Sequence, residues 1–273
     1  MLRIQTKVWS HASSEKGEKK YVSDILESEP KEVGSFRELV RHIAEISYRN
    51  SEYVLFFRGQ HQDYQKNLRN EGLASSFYPS IYRNPGAILT VSEVKRRFEK
   101  LEYFSMKLIE KFSEEEISGH EKLSKFPELS WAILQHYEVC ETPLLDVTHS
   151  LRVAASFALN ENKGDGYLYV FGFPHPNGSI TYSVDEELLN IRLLSICPPQ
   201  AHRPYFQEGF LVGTFPSRRL AKHPSLDIGR RLIAKFRLKK RKFWDTHFHA
   251  IPNEALYPSD EMADICEELK TPE

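Results

Sequence analysis

Cysteine is scarce in this sequence. There are three, Cys140, Cys197 and Cys266, an odd and widely spaced set. They build neither a disulfide framework nor a zinc-binding pattern, and a reducing compartment, the cytoplasm, is the simplest setting for them. Long apolar runs are missing as well: no stretch approaches the roughly 20 residues that a membrane helix needs. The opening residues, MLRIQTKVWSHASSEKGEKKYVSD, hold no apolar segment of signal-peptide length. No membrane partner is therefore expected. Neither charge is in excess, since 37 Lys and Arg against 38 Asp and Glu leave a net charge of -1, so bulk charge selects no partner. Internal repeats and long low-complexity tracts are absent too. What remains is ordinary globular composition, 40% hydrophobic and 27% charged over 273 residues, enough for one large domain or two small ones.

The first 35 residues are polar, and SSEKGEKK within them reads as a mobile stretch, so residues 1–35 are expected to be an N-terminal extension of a domain spanning 36–273. Ser35, followed by Glu38, is a capping box opening the helix FRELVRHIAEISYR, with Phe36, Leu39, Val40, Ile43 and Ile46 on one face. EYVLFF reads as a strand. ASSFYPSIYRNPGA is a loop broken by two prolines. A long amphipathic helix follows from Val91 to about Glu116, with Val94, Phe98, Leu101, Phe104, Leu108 and Phe112 at helical spacing. PELSWAILQHYEV is a further helix started near Pro127. TPLLDVT is a short strand, and HSLRVAASFALNEN a helix opened by Ser150. GDGYLYVFGF, FQEGFLVGTF and the basic RRLIAKFRLK are strand-like. SDEMADICEELK is a last helix capped by Ser259 or Asp260. Helices dominate the first half and strands the second, an α+β layout without βαβ alternation.

Three places are chemically loaded. Arg58-Gly59-Gln60 ends the apolar strand, a common position for binding residues, though an exposed arginine beside a turn glycine reads equally simply. Asp146 to Ser150 lies between an apolar strand and a helix rich in small residues. Hydroxyls at a helix N-terminus suit an anionic or polyhydroxyl ligand, or merely cap the helix. RPYFQEGFLVG places Gln207 and Glu208 in an aromatic, apolar strand, where alternation would send them to opposite faces. One would face a cleft, or the strand would be an edge with a solvated face. Gln60, Gln135, His136 and Arg203 are further candidates. His136 is also readable as a structural histidine, and Asp146 as a residue that fixes the loop. His247 and His249 alternate in HFH without a third ligand in view, so no metal site is expected.

Taken in order, FFRGQ, FYPSIYR, LQHYEVCETPLLDVTHSLRVAASFAL and RPYFQEGFLVG resemble the FRG domain family, over about residues 36–269. Pro143 and Val147 stand where that family has arginine and tryptophan, and Glu208 where it has a second glutamine. The motif order is also similar to ADP-ribosyltransferases of the Arg-Ser-Glu type. That resemblance implies an α+β fold with an ADP-ribosyltransferase-like split β-sheet core and a helical N-terminal half. It implies NAD as co-substrate and no metal. Arg58, Gly59, Gln60, Thr148, Ser150 and Tyr205 would hold the dinucleotide, and Glu208, with Arg58 and Gln207, would act on the nicotinamide ribose.

Those residue types suit the chemistry. Cleaving the nicotinamide–ribose bond develops positive charge on the ribose, as in glycoside cleavage, and a carboxylate stabilises it. An arginine gives bidentate contacts to a phosphate. A glycine lets backbone approach the ligand. The stretch around Arg230, Arg231, Lys239, Lys240 and Arg241, with Phe236 and Phe243 interleaved, is a footprint for nucleic-acid phosphates or a solvated edge strand. The family setting implies a bacterial toxin or antiphage effector that modifies a nucleic acid or a protein, with an antitoxin as a further partner. An NAD glycohydrolase on the same scaffold and a non-catalytic nucleotide- or nucleic-acid-binding module are the alternatives.

Overall fold

The protein is described by a computed structural model covering residues 7–11, 17–68, 72–83, 89–160, 164–217 and 223–270. Residues 13–16 of the expected mobile stretch at 13–20, the end of the proline-broken loop at 84–87 and the tail of the Ser150 helix at 161–162 fall outside the described residues, and residues 18–20 of that stretch form a strand instead. In chain order the strands are β1 (Val8–Ser10), β2 (Glu18–Lys20), β3 (Lys31–Val33), β4 (Val54–Gln60), β5 (Gln65–Leu68), β6 (Gly72–Ser75), β7 (Leu144–Thr148), β8 (Gly166–Phe173), β9 (Ile180–Ser183), β10 (Leu188–Arg192), β11 (Gly209–Thr214) and β12 (Leu232–Leu238). The α-helices are α1 (Val22–Glu27), α2 (Phe36–Arg49), α3 (Val91–Glu114), α4 (His120–Leu123), α5 (Pro127–His136), α6 (Leu151–Asn160), α7 (Leu193–Ile196), α8 (Arg203–Phe206), α9 (Asn253–Leu256) and α10 (Glu261–Lys270). The fold is α+β. No helix among the described residues is long and apolar enough to cross a membrane.

The chain divides into two compact units, each drawn from three segments. The first comprises residues 1–77, 147–176 and 228–256. Its mixed sheet runs β3-β12-β8-β4, with β12 parallel to β3 and antiparallel to β8. At the far side of β4, Phe57 pairs with Thr148 at the end of β7. Phe56, Leu168, Tyr169, Val170, Phe171, Phe173 and Phe236 are buried in it. β8 is buried along both faces, which is why its sequence GYLYVFGF is apolar throughout rather than alternating.

One expectation changes here. Residues 7–11 and 17–33 are no extension: Val8, Trp9, Val22, Ile25 and Val33 are buried, and β3 is a strand of the sheet. Strands β1 to β6 all precede Ser76, but α2, α3 and α5 keep helix ahead of strand in the first half, as expected.

The second unit comprises residues 78–146, 177–227 and 257–273. Val94, Phe98, Leu101, Leu108 and Phe112 of α3 pack with Ile133 and Leu134 of α5 and Met262 and Ile265 of α10. Thr90 opens α3 with a full capping box: its side chain accepts from Glu93 N, and Glu93 accepts from Thr90 N at 2.8 Å. β9, β10 and β11 form an antiparallel ribbon. Leu189, Ile191 and Leu211 cluster with Ala132, Leu144 and Leu193. DEELLNIRLLS, which mixed helix and strand signals, becomes β10 followed by the single turn α7.

Candidate functional site

In the first unit, β4 carries the Arg-Gly-Gln sequence. Strand alternation puts Phe56, Arg58 and Gln60 on one face and Phe57 and Gly59 on the other. Arg58 stands opposite Tyr169 of β8, and Tyr169 opposite Lys235 of β12, so a phenol lies between two cations on one face. Asp63 joins them. It accepts from Tyr169 Oη at 2.8 Å and Ser75 Oγ at 2.9 Å, and lies 3.7 Å from Lys235 Nζ. Lys235 donates to Ser75 Oγ at 2.9 Å and to the Leu26 carbonyl at 3.0 Å. Burial pushes the Lys235 pKa down against the pull of Asp63. Burial, then Asp63, pushes the Tyr169 phenol up. Arg58 is half-buried, and Gln60 Oε1 is buried without a hydrogen-bond partner among the described residues.

Gly59 has a packing reason. A Cβ there would lie 1.8 Å from the Ala154 carbonyl oxygen and 2.8 Å from the Ala158 nitrogen. The glycine therefore lets α6 lie directly on β4, where the sequence suggested close approach of a ligand. Thr148 and Ser150 build the entry to α6: Ser150 N donates to Thr148 Oγ1 at 3.0 Å, and Val153 N to Ser150 Oγ at 3.4 Å. Capping is what these hydroxyls do. The first unit thus gathers Arg58, Gly59, Gln60, Thr148 and Ser150 where β4 meets the end of β7.

The second unit holds a chain of polar contacts between distant sequence segments. Ser80 and Thr142 exchange bonds: Thr142 N donates to Ser80 Oγ at 3.0 Å, and Ser80 Oγ to the Thr142 carbonyl at 3.3 Å. Thr142 Oγ1 donates to Gln135 Oε1. Gln135 Nε2 donates to Asp146 Oδ2 at 2.8 Å, and His136 Nδ1 lies 3.2 Å from Asp146 Oδ1. A carboxylate only accepts, so Nδ1 is the donor of this contact, and the neutral tautomer that fits it presents a lone pair at Nε2. That Nε2 is buried and has no hydrogen-bond partner among the described residues. The far side of the ring faces β11: a Cβ on Gly209 would lie 3.5 Å from His136 Cε1. A cavity of about 380 Å³ is lined by Ser80, Lys100, Gln135, Glu138, Val139, Cys140 and Glu141. None of Arg58, Tyr205, Gln207 or Glu208 lines it.

The late motif is not the continuous strand expected from RPYFQEGFLVG. Arg203–Phe206 form the short helix α8, and β11 starts only at Gly209. Pro204 in the first turn favours the helical start, and Asp260 accepts from His202 N at 2.7 Å and Arg203 N at 3.2 Å. Gln207 and Glu208 therefore occupy a turn instead of alternating across a strand. Gln207 is buried and Glu208 exposed. Glu208 has φ +45°, a left-handed conformation that a side chain with Cβ adopts at a cost. Tyr205 is 68% exposed and Phe206 is edge-on to it at 5.6 Å, so Tyr205 is an open aromatic surface rather than core.

The basic stretch disperses. β12 is flanked by β3 and β8 and is not an edge. Arg231 is buried, with Nε donating to the Gly172 carbonyl at 2.8 Å. Lys235 is the buried lysine described above. Arg237 and Lys239 pair with Asp165 at 3.0 and 3.2 Å, and Lys239 also with Glu32 at 2.6 Å. Arg230 and Lys240 are half-buried, and Arg241 and Lys242 are exposed. Arg231 and Lys239 are thus absorbed by the fold, and no continuous row of phosphate-facing cations forms. HFH lies in no strand: Asp245 accepts from His247 N and Phe248 N at 2.7 and 2.9 Å, which makes it a turn.

Asp63, Ser75, Tyr169, Ser80 and Thr142 escaped notice in the sequence. Asp63 follows the Arg-Gly-Gln segment closely, which is a usable signal. Tyr169 looks like any aromatic of an apolar strand.

Residues 53–166 match the FRG domain family. The match takes in Arg58, Gln135, His136, Asp146, Thr148 and Ser150, and ends before Gln207 and Glu208. No curated protein and no solved structure matches the chain.

Proposed function

From an FRG domain at residues 53–166, we propose an NAD-dependent ADP-ribosyltransferase that acts on a nucleic acid or protein acceptor. The observation that carries this reading is Glu208: an exposed carboxylate held at φ +45° on the turn into β11, beside the exposed rings of Tyr205 and Phe206. Backbone strain concentrates at functional positions, and a carboxylate next to open aromatic surface suits a nicotinamide ribose. As the bond from ribose C1′ to the nicotinamide nitrogen breaks, nicotinamide leaves with the electron pair. Glu208 stabilises the charge left on the ribose. The acceptor then attacks C1′ and gives up its proton to the carboxylate or to solvent. The His136 Nε2 acceptor, buried and without a hydrogen-bond partner among the described residues, suits a hydroxyl donor of the ligand.

His136 favours a second reading, NAD glycohydrolysis. An imidazole held by Asp146 with a lone pair at Nε2 is arranged as a general base, and a water deprotonated there would replace the acceptor.

Incubating the protein with labelled NAD, alone and with RNA, DNA and protein extract, tests both. Label on one fraction, reduced about a hundredfold or more in Glu208→Gln, supports transfer and identifies the acceptor class. Free nicotinamide without labelled acceptor, lost in His136→Ala, supports hydrolysis. No turnover of NAD in any mixture overturns both readings.

A further inference from the structure

α2 turns a polar pair inward. His42 is 6% exposed on its apolar face, where the sequence pattern suggested Val40, which is instead 42% exposed. Glu45 follows His42 by three residues and so lies beside it. His11, just after β1, is 3% exposed. Its ring meets Trp9 edge-on at 4.6 Å, and Phe236 stacks on His42 at 5.9 Å. Within this wall His11 Nε2 lies 3.3 Å from His42 Nδ1 and 3.2 Å from Glu45 Oε2. Donor atoms of all three residues fall within 4.8 Å of one another.

Hydrogen bonding alone does not satisfy this arrangement. If His11 Nε2 carries a proton, it serves either His42 or Glu45. If it carries none, its lone pair faces the carboxylate. Three electron-pair donors converge at this point.

A four-coordinate zinc ion with bonds of 2.0–2.1 Å sets neighbouring ligand atoms about 3.3–3.4 Å apart. Both contacts of His11 Nε2 match that edge. The outer ring nitrogens must then bear protons. His42 Nε2 faces Glu38 Oε1 at 3.8 Å, and His11 Nδ1 is buried without a hydrogen-bond partner among the described residues.

We propose that His11, His42 and Glu45 form a binding site for a divalent transition-metal ion of the zinc class, with water completing the shell. Two imidazoles and one carboxylate are ligands this class prefers. The Glu45 side chain is 41% exposed, which gives the water and the ion a way in. The site is separate from the chemistry proposed above and independent of it. Its effect is on the fold: two ligands come from α2 and one from the residues after β1, so the ion ties that segment to the helix, and binding adds to stability.

The test uses the full chain, stripped with a chelator and titrated with Zn²⁺ against a chromogenic competitor, with thermal unfolding in parallel. The expected result is a single tight equivalent and a raised Tm. Glu45→Gln weakens binding by about tenfold or more, His42→Gln abolishes the tight equivalent, and a His247→Ala/His249→Ala variant binds as wild type. Should His42→Gln fail to fold, the half-exposed Glu45 decides alone. A wild-type chain that takes up no Zn²⁺ above the competitor overturns the proposal. So does undiminished binding in Glu45→Gln, or loss of the tight equivalent in the His247/His249 variant.

Discussion

At the scale of single residues, Gly59 shows how a motif glycine acquires its reason. The space on its Cβ side is filled by backbone atoms of α6, which cannot swing aside as a flexible side chain would. Gly59→Ala is expected to destabilise the fold by about 3 kcal/mol, the upper end of ordinary overpacking. It would show as a lower midpoint in urea at unchanged slope. Ala tolerated at wild-type midpoint would return the glycine to a ligand-facing role. Asp245 makes a different point. Hydrogen bonds from His247 N, Arg37 and Phe248 N hold its carboxyl down at about 2, against an ordinary 3.8. A depressed carboxylate contributes fully above its unfolded value and loses that contribution as the pH falls through the folded one. The turn at residues 245–249 should therefore protect the His247 and Phe248 amides from exchange above pH 3.8 and release them toward pH 2. Asp245→Asn should leave them unprotected throughout.

At the scale of elements, Asp260 joins two pieces of the second unit. One carboxylate caps α10 through Ala263 N at 2.7 Å, starts α8 through His202 N at 2.7 Å and Arg203 N at 3.2 Å, and accepts from Tyr137 Oη at 2.9 Å. Burial, then Asp260, pushes the Tyr137 phenol upward, so it remains a donor. Hydrogen bonds to a charged group contribute about 1.5–3 kcal/mol each. Asp260→Ala should therefore cost about 3 kcal/mol or more in urea unfolding, and Asp260→Asn less. The cap of α10 was readable from SDEM, because an N-cap is a matter of three or four consecutive residues. Its second role was not, since His202 lies 58 residues away. For that reason RPYFQEGF read as strand: aromatic and apolar residues favour β structure until a distant carboxylate starts a helix there. Gln207 and Glu208 then exchanged the alternating places expected of them for a buried and an exposed position on one turn.

At the scale of the whole molecule, the polar opening of the chain is part of the fold. β3 pairs with β12 in register Phe236 to Lys31, and Lys235 depends on the Leu26 carbonyl. Deleting residues 1–33 should leave a buried lysine short of a partner and bare the edge of β12. Loss of cooperative unfolding and aggregation are the expected outcome, measured by circular dichroism and light scattering. A truncated chain with wild-type Tm would restore the reading of a dispensable extension. By itself the sequence determined what is local: the helices α2, α3, α5, α6 and α10, the caps of α2, α6 and α10, the strands β4 and β8, and the likeness to the FRG family. Periodicity and capping act over a turn or two of chain, so they can be read there. Tertiary structure alone decided which polar groups meet. His42 rather than Val40 faces inward because His11 and Glu45 wait for it. Asp63, Asp165 and Glu32 absorb cations that looked like a phosphate footprint. His136 gains a carboxylate partner only because Asp146, ten residues on, returns beside it. Charges and hydrogen bonds are settled by distance in space, and only the folded chain sets that distance.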